Sequence, residues 1–197
     1  WFGTDHTMNI YRGCCHGCFY CDSRSDCYQI KEFDRVRAKA DALRILRDDL
    51  ARKVKPAFIS MGAMSDPYNP FEGELRLTRH ALELIDAYDC GVAIATKSDL
   101  IVRDIDLLTS VQNHSPVICK ITVTTAVDAL AAKVEPNAPP PSARFGALKE
   151  LSGAGLFAGV LLMPVLPFLE DSDEGVLAVV EGAAQAGAQF IYPAFGV

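Results

Sequence analysis

The sequence predicts an α/β fold in which six parallel strands carry outer helices, forming an open, partial (β/α)6 TIM-like barrel. Short apolar runs bounded by turn residues alternate along the chain with stretches of helical periodicity. The strand segments are strongly apolar, which is typical of parallel strands with helical cover. A closed barrel of this kind has eight such units, so six units indicate an open one.

The strands and helices alternate along the chain. We predict strands over residues 6–11, 57–62, 92–96, 117–124, 156–163 and 189–195. Helices are predicted over residues 34–53, 78–91, 104–111, 127–134, 142–153 and 171–187. Residues 136–141 form a proline-rich connector that should be stiff and extended. Apolar and polar residues alternate in the fourth strand, so Lys120, Thr122 and Thr124 share one face.

Length and composition indicate one globular domain. The chain has 197 residues, of which 50% are hydrophobic and 22% are charged, which is enough to bury a core. We expect a single core domain over residues 1–197. Because the sequence stops directly after the sixth strand, we expect it to lack natural C-terminal sequence, and its start without Met suggests the same for the N-terminus.

Charge and hydropathy limit the partners. A net charge of −6 gives no support to a broad phosphate-binding surface, so charge does not support a nucleic-acid partner. No apolar run reaches the length of a membrane span, and the first residues do not form a signal peptide. We therefore expect a cytoplasmic protein without a membrane partner.

Four of the seven cysteines stand together between residues 14 and 21. Cys14, Cys18 and Cys21 have the spacing Cys-x3-Cys-x2-Cys, which lets one short loop point three thiolates at a single centre. A structural zinc site normally has four protein ligands, whereas three leave one metal position free for a small molecule. The cysteines are too close in sequence for an ordinary disulfide framework, so metal binding in a reducing compartment is the better interpretation.

Polar side chains follow the next three predicted strands. Ser65 and Asp66 come after the second strand, Lys97 after the third, and Thr122 and Thr124 end the fourth. The carboxyl ends of parallel strands meet at one rim, where such folds place their sites. We therefore expect these residues to lie beside the cysteine loop.

Other interpretations of these residues remain open. A zinc site completed by Cys15, His16 or Cys27 would make the chain a zinc-stabilised, non-enzymatic nucleic-acid-binding module. The other polar residues have structural alternatives: loop packing for Tyr20, a turn before Pro67 for Ser65 and Asp66, a solvated rim charge for Lys97, and β-propensity for Thr122 and Thr124.

The sequence resembles the radical S-adenosylmethionine enzymes, whose Cys-x3-Cys-x2-Cys loop carries an aromatic residue before the last cysteine, here Tyr20 before Cys21. More narrowly, it is similar to the spore photoproduct lyase-like group. The matching segments are Asn-Ile-Tyr-Arg-Gly-Cys-Cys-His-Gly-Cys at 9–18, Ser-Asp-Pro-Tyr at 65–68, Leu-Thr-Arg at 77–79, Thr-Lys-Ser at 96–98 and Arg-Asp-Ile-Asp-Leu-Leu at 103–108.

The resemblance implies an enzyme with two cofactors. Cys14, Cys18 and Cys21 would hold three irons of a [4Fe-4S] cluster, and S-adenosylmethionine would chelate the fourth iron. Reductive cleavage would then yield methionine and a 5′-deoxyadenosyl radical that abstracts hydrogen from an unknown substrate. Such an enzyme needs an electron donor, for which the resemblance implies a flavodoxin or a ferredoxin.

The resemblance also implies roles at the methionine end of the cofactor. Ser65 and Asp66 would meet the amino group of the methionine, a suitable partner for a hydroxyl and a carboxylate. Lys97 suits the methionine carboxylate by its charge.

At the nucleoside end, the resemblance implies that Tyr20 lies near the adenine and that Thr122 or Thr124 meets the ribose hydroxyls. One position departs from the pattern of the lyase. That enzyme is expected to carry a hydrogen-donating cysteine beside the second-strand serine, where this chain has Met64. Methionine has no S–H to donate, which argues against repair of thymine dimers by that route.

Overall fold

A computed structural model describes residues 3–52 and 56–195. The described residues form the strands β1 (His6–Met8), β2 (Tyr11–Arg12), β3 (Arg37–Ala38), β4 (Phe58–Met61), β5 (Gly91–Thr96), β6 (Val117–Thr122), β7 (Ala158–Val165) and β8 (Ile191–Phe195). Six of them build one sheet in the order β1-β4-β5-β6-β7-β8, with every neighbouring pair parallel. The predicted α/β class with an open parallel sheet is confirmed.

Helices connect successive strands of this sheet. They are α1 (Ala42–Ala51), α2 (Glu72–Leu75), α3 (Leu77–Ala87), α4 (Ile105–Gln112), α5 (Asp128–Val134), α6 (Pro141–Gly153) and α7 (Asp173–Gln185), with a 3-10 helix over Asp99–Asp104 before α4. In the described part of the chain, no helix is long and apolar enough to cross a membrane.

The first helix is shorter than predicted. The sequence favoured a helix over residues 34–53, but α1 begins only at Ala42, and Lys53 lies outside the described residues. Arg37 and Ala38 pair instead in antiparallel register with Arg12 and Tyr11. The predicted first strand is divided for the same reason, because β1 ends at Met8 and Tyr11 belongs to this small second sheet. This pair of short antiparallel strands closes the segment that contains the cysteine loop at its base.

The large sheet has two different faces. Val117, Cys119 and Ile121 of β6 belong to the main apolar core. Because side chains alternate along a strand, Lys120 and Thr122 face the opposite side, as predicted. In register, Lys120 stands between Ala95 of β5 and Gly159 of β7, two of the smallest residues.

Candidate functional site

The cysteine loop begins with a turn that requires glycine. Gly13 has a φ of +82°, and a Cβ atom on it would stand 2.4 Å from the carbonyl oxygen of Phe33. The next N–H, that of Cys14, donates a hydrogen bond to the same oxygen at 2.9 Å. The close approach of the two backbones therefore fixes the start of the loop.

The proline-rich connector holds the loop from behind. Asn137 donates its backbone N–H to the carbonyl of His16 and its side-chain amide to the carbonyl of Cys15, both at 3.0 Å. The N–H of Phe19 reaches the carbonyl of Val134 at 3.1 Å. The main chain of three loop residues, Cys15, His16 and Phe19, is thus held by hydrogen bonds, which suits a loop that must hold a ligand in one place.

The thiols of the loop are all free. Cys18 is buried, while Cys14 and Cys21 are partly exposed. Burial raises the pKa of Cys14 to about 12 and also raises the pKa of Cys18, which the charge of Lys97 opposes. Three free thiols on one fixed loop are a donor set that fits an iron–sulfur cluster. Binding to iron deprotonates a thiol, so the raised pKa values of the free thiols do not prevent ligation.

A site for one metal ion is a different arrangement. Among residues 3–52 and 56–195, no three His, Cys, Asp or Glu side chains are placed to hold a single ion. In a four-iron cluster, in contrast, each thiolate binds a different iron. Cys27 is exposed, and its Sγ lies 2.9 Å from Oγ of Ser25. Nothing in the described part of the chain supports the zinc alternative.

Asp66 links the cysteine loop to the ends of β4 and β5. One carboxylate oxygen accepts from Nε2 of His16 at 3.0 Å and from the N–H of Lys97 at 2.8 Å. The other accepts from the hydroxyl of Thr96 at 2.6 Å and the N–H of Tyr68 at 2.9 Å. Burial by itself would raise the pKa of Asp66, but these partners, His16 first, lower it to about 2.

Ser65 holds the same junction from the other side. Its hydroxyl donates to the carbonyl of Tyr11 at 3.0 Å, three residues before the first cysteine of the loop. The oxygen of Ser65 keeps its lone pairs as acceptors. The preceding Met64 donates its N–H to Oδ1 of Asn9 at 3.3 Å.

Sequence reasoning missed Glu135, a buried carboxylate between the predicted cofactor residues. Tyr20 donates its hydroxyl to Oε1 of Glu135, and Nη2 of Arg144 donates to Oε2. The ammonium of Lys97 lies 3.9 Å from Oε1 and 5.5 Å from the centre of the Tyr20 ring. No local pattern could have indicated this carboxylate, because its partner Tyr20 is 115 positions away in the sequence.

The charge of Lys97 is supported by its surroundings. Burial opposes that charge, but Cys18 and Glu135 outweigh burial, so the pKa of Lys97 is raised above its ordinary value. A raised pKa keeps the ammonium charged at neutral pH.

The two threonines of the fourth predicted strand both have partners. The carbonyl of Thr122 accepts from Arg144 at 3.1 Å, and Oγ1 of Thr124 donates to Glu170 at 2.8 Å. Burial raises the pKa of Glu170, whose second oxygen is buried without a hydrogen-bond partner among the described residues. The structure therefore brings Tyr20, Lys97 and the end of β6 to one rim, as expected from parallel strands.

A search of family models finds one that matches most of the chain. The model described as the radical SAM superfamily matches residues 8–180. An uncharacterized protein of Mycobacterium tuberculosis is 32% identical over 190 residues, covering 93% of this chain and 56% of the relative. An uncharacterized protein of Methanocaldococcus jannaschii is 31% identical over 169 residues, covering 86% and 63%. The chain thus spans about half the length of the curated relatives it matches.

Solved structures share the fold at low identity. A spore photoproduct lyase variant with bound AdoMet and dinucleoside spore photoproduct superposes with a TM-score of 0.63 at 18% identity, over 96% of this chain and 56% of that one. Streptococcus suis SuiB bound to its precursor peptide SuiA gives a TM-score of 0.65 at 16% identity, over 98% and 39%. At these identities the likeness shows the fold alone.

Proposed function

Since the chain belongs to the radical SAM superfamily, whose members are enzymes that use a [4Fe-4S] cluster and S-adenosylmethionine, we propose that it generates a 5′-deoxyadenosyl radical for hydrogen abstraction. The observation that carries the proposal is the fixed loop of three free thiols beside Tyr20 and Lys97. Cys14, Cys18 and Cys21 would hold the cluster. When bound, the reduced cluster supplies the electron that cleaves the sulfonium bond of S-adenosylmethionine.

The remaining residues would bind and orient the methionine end. The ammonium of Lys97 is charged and suits the methionine carboxylate. Ser65 has lone pairs left to accept from the amino group. Asp66 already accepts four hydrogen bonds, which occupy the acceptor capacity of a carboxylate. We therefore propose that Asp66 acts by fixing the main chain of Lys97 and the cysteine loop.

At the nucleoside end, we propose that the Tyr20 ring lies along the adenine and that Thr122 meets the ribose. Thr124 would contribute together with Glu170, since their side chains already share a hydrogen bond. The rim therefore offers an aromatic face, hydroxyls and a carboxylate, which are the groups a nucleoside needs.

The substrate class is narrowed by two observations. Met64 has no S–H that could return a hydrogen atom, and the chain carries a net charge of −6. The first disfavours repair of a thymine lesion through a cysteine at this position, and the second gives no support to a nucleic-acid substrate. The superposed structures hold a dinucleoside in one case and a peptide in the other, so the fold does not select the substrate.

We propose that an electron donor of the flavodoxin or ferredoxin type reduces the cluster.

The proposal is tested by anaerobic reconstitution with iron and sulfide, followed by dithionite and S-adenosylmethionine. We expect about four irons per chain and formation of 5′-deoxyadenosine, measured by mass spectrometry. A variant with Cys14, Cys18 and Cys21 all changed to Ala should give neither. Stoichiometric zinc without iron in protein purified anaerobically, or a cluster without 5′-deoxyadenosine, would overturn the proposal.

A further inference from the structure

We propose that Glu135 is a positioning residue of the cofactor site, which sets the places of the Tyr20 ring and the Lys97 ammonium. The inference rests on the proposed function and adds to it a residue outside the cysteine motif and the strand ends. Its carboxylate is the one group that contacts Tyr20, Lys97 and Arg144 together in the described part of the chain.

Glu135 is anchored from behind by Arg144. Both side chains are completely buried. Arg144 also donates from Nε to the carbonyl of Pro139 at 2.7 Å and from Nη1 to the carbonyl of Thr122 at 3.1 Å. One guanidinium therefore joins α6, the proline-rich connector and the end of β6 to the carboxylate. A buried fork of this kind holds its acceptors in a defined geometry.

The other side of the carboxylate faces the predicted cofactor residues. The Tyr20 hydroxyl donates to Oε1, which fixes the ring in the cysteine loop one residue before Cys21. The ammonium of Lys97 is held 3.9 Å from the same oxygen and stands over the face of the Tyr20 ring. The negative charge thus keeps one cation in place and the aromatic ring beneath it.

The chain contains a second trio of the same chemistry, which serves as an internal control. Tyr11 donates its hydroxyl to Glu72, and Nη2 of Arg103 lies 3.1 Å from Oε2 of the same carboxylate. Glu72 is completely buried, as Glu135 is. The side chains of this trio contact none of Tyr20, Lys97, Thr122 or Thr124 among the described hydrogen bonds and ion pairs. Ser65 contacts the trio through the main-chain carbonyl of Tyr11, which Tyr11→Phe leaves in place.

The experiment compares Glu135→Gln and Tyr20→Phe with Glu72→Gln and Tyr11→Phe in the reconstituted enzyme. We expect the first pair to raise the KM for S-adenosylmethionine in 5′-deoxyadenosine formation about tenfold, the effect of one hydrogen bond to a charged group. The control pair should lower the melting temperature about as much as the first pair does, but should leave the KM for S-adenosylmethionine within about twofold of the wild-type value. Because both substitutions remove the same contact, the double variant Tyr20→Phe with Glu135→Gln should have a KM no higher than that of the single variant with the higher KM.

A second readout separates positioning from stability. The reduced cluster of Tyr20→Phe should show a weaker change of its electron paramagnetic resonance spectrum on addition of S-adenosylmethionine, at unchanged iron content. Where Glu135→Gln does not fold, Tyr20→Phe alone decides. Equal KM values in Tyr20→Phe, Tyr11→Phe and an active wild type would overturn this inference and leave the proposed function standing. A wild type without 5′-deoxyadenosine would instead overturn the proposed function, and this inference with it.

Discussion

Nε2 of His16 lies 3.0 Å from Oδ2 of Asp66, and both side chains are almost completely buried. A carboxylate with a pKa of about 2 can only accept at neutral pH, so the ring nitrogen must be the donor. Nε2 of His16 therefore carries a proton, and the contact ties the middle of the cysteine loop to the loop after β4. His16, a candidate zinc ligand from the sequence, therefore has a buried carboxylate as its partner in the structure.

The His16–Asp66 contact predicts a pH dependence of stability. The folded pKa of Asp66, about 2, lies below its usual 3.8, so the stabilisation is present above about pH 4 and is lost as the pH falls towards 2. The shift corresponds to about 2 kcal/mol. The difference in unfolding free energy between wild type and Asp66→Asn should shrink by about that amount from about pH 5 to about pH 2, measured by urea denaturation of the apoprotein.

Asp106→Asn is the matched control for that experiment. The pKa of Asp106 is also lowered, by hydrogen bonds from Arg79, but its side chain is largely exposed. Surface pairs contribute little to stability, so this variant should follow the wild-type pH profile closely. An Asp66→Asn profile parallel to that of the wild type would show that the buried carboxylate is not the group that titrates.

The cysteines of the loop should divide into ligands and bystanders. Replacing Cys14, Cys18 or Cys21 by Ala removes a thiolate for which no substitute lies on the loop at the required spacing. We expect each variant to lose most of its iron and its cluster absorbance after reconstitution. Cys15→Ala and Cys27→Ala should keep both, measured as iron and sulfide per chain. Loss of the cluster in either control would mean that a fourth cysteine is a ligand.

The turn at Gly13 should not accept a side chain. Alanine there would be strained at positive φ, and its Cβ would meet the rigid backbone oxygen of Phe33. We expect Gly13→Ala to lower the unfolding free energy by at least about 2 kcal/mol, together with the iron content. Gly146, inside α6, has open space where a Cβ would stand, so Gly146→Ala should gain about 0.5–1 kcal/mol. Equal effects of the two variants in urea denaturation would contradict this.

Much of the fold could be predicted because it depends on local patterns. The six strands of the sheet were found from apolar runs between turn residues, and β6 from its alternation. The antiparallel pair of β2 and β3 was not predicted, because Arg37 and Ala38 lie in a segment whose apolar spacing predicts a helix. There, pairing with Tyr11 and Arg12 overrides the local preference.

In the candidate site, too, some residues could be predicted from local patterns and others could not. Three cysteines in eight residues and polar residues at successive strand ends could be read from spacing and order alone. Glu135 and Arg144 could not, because their importance comes from contacts with Tyr20 and Thr122 in distant segments. Asp66 was found, but its four hydrogen bonds were not, since they depend on where His16 and Thr96 come to lie.

Lys120 should carry a measurable cost of burial. Desolvation lowers its pKa from 10.5 to about 8, so the unfolded chain binds more protons than the folded one between these values, and stability rises with pH across that range. At pH 7 this shift corresponds to about 3 kcal/mol of stability relative to a lysine of ordinary pKa, and Lys120→Met should remove the pH dependence that comes with it. The difference in unfolding free energy between Lys120→Met and the wild type should change in favour of the wild type, by most of that amount, as the pH rises from about 7 to about 10, measured by urea denaturation. Lys133→Met, at an exposed position of α5, should show no such trend. A pH-independent difference between Lys120→Met and the wild type would mean that the Lys120 ammonium is not the group that titrates over this range.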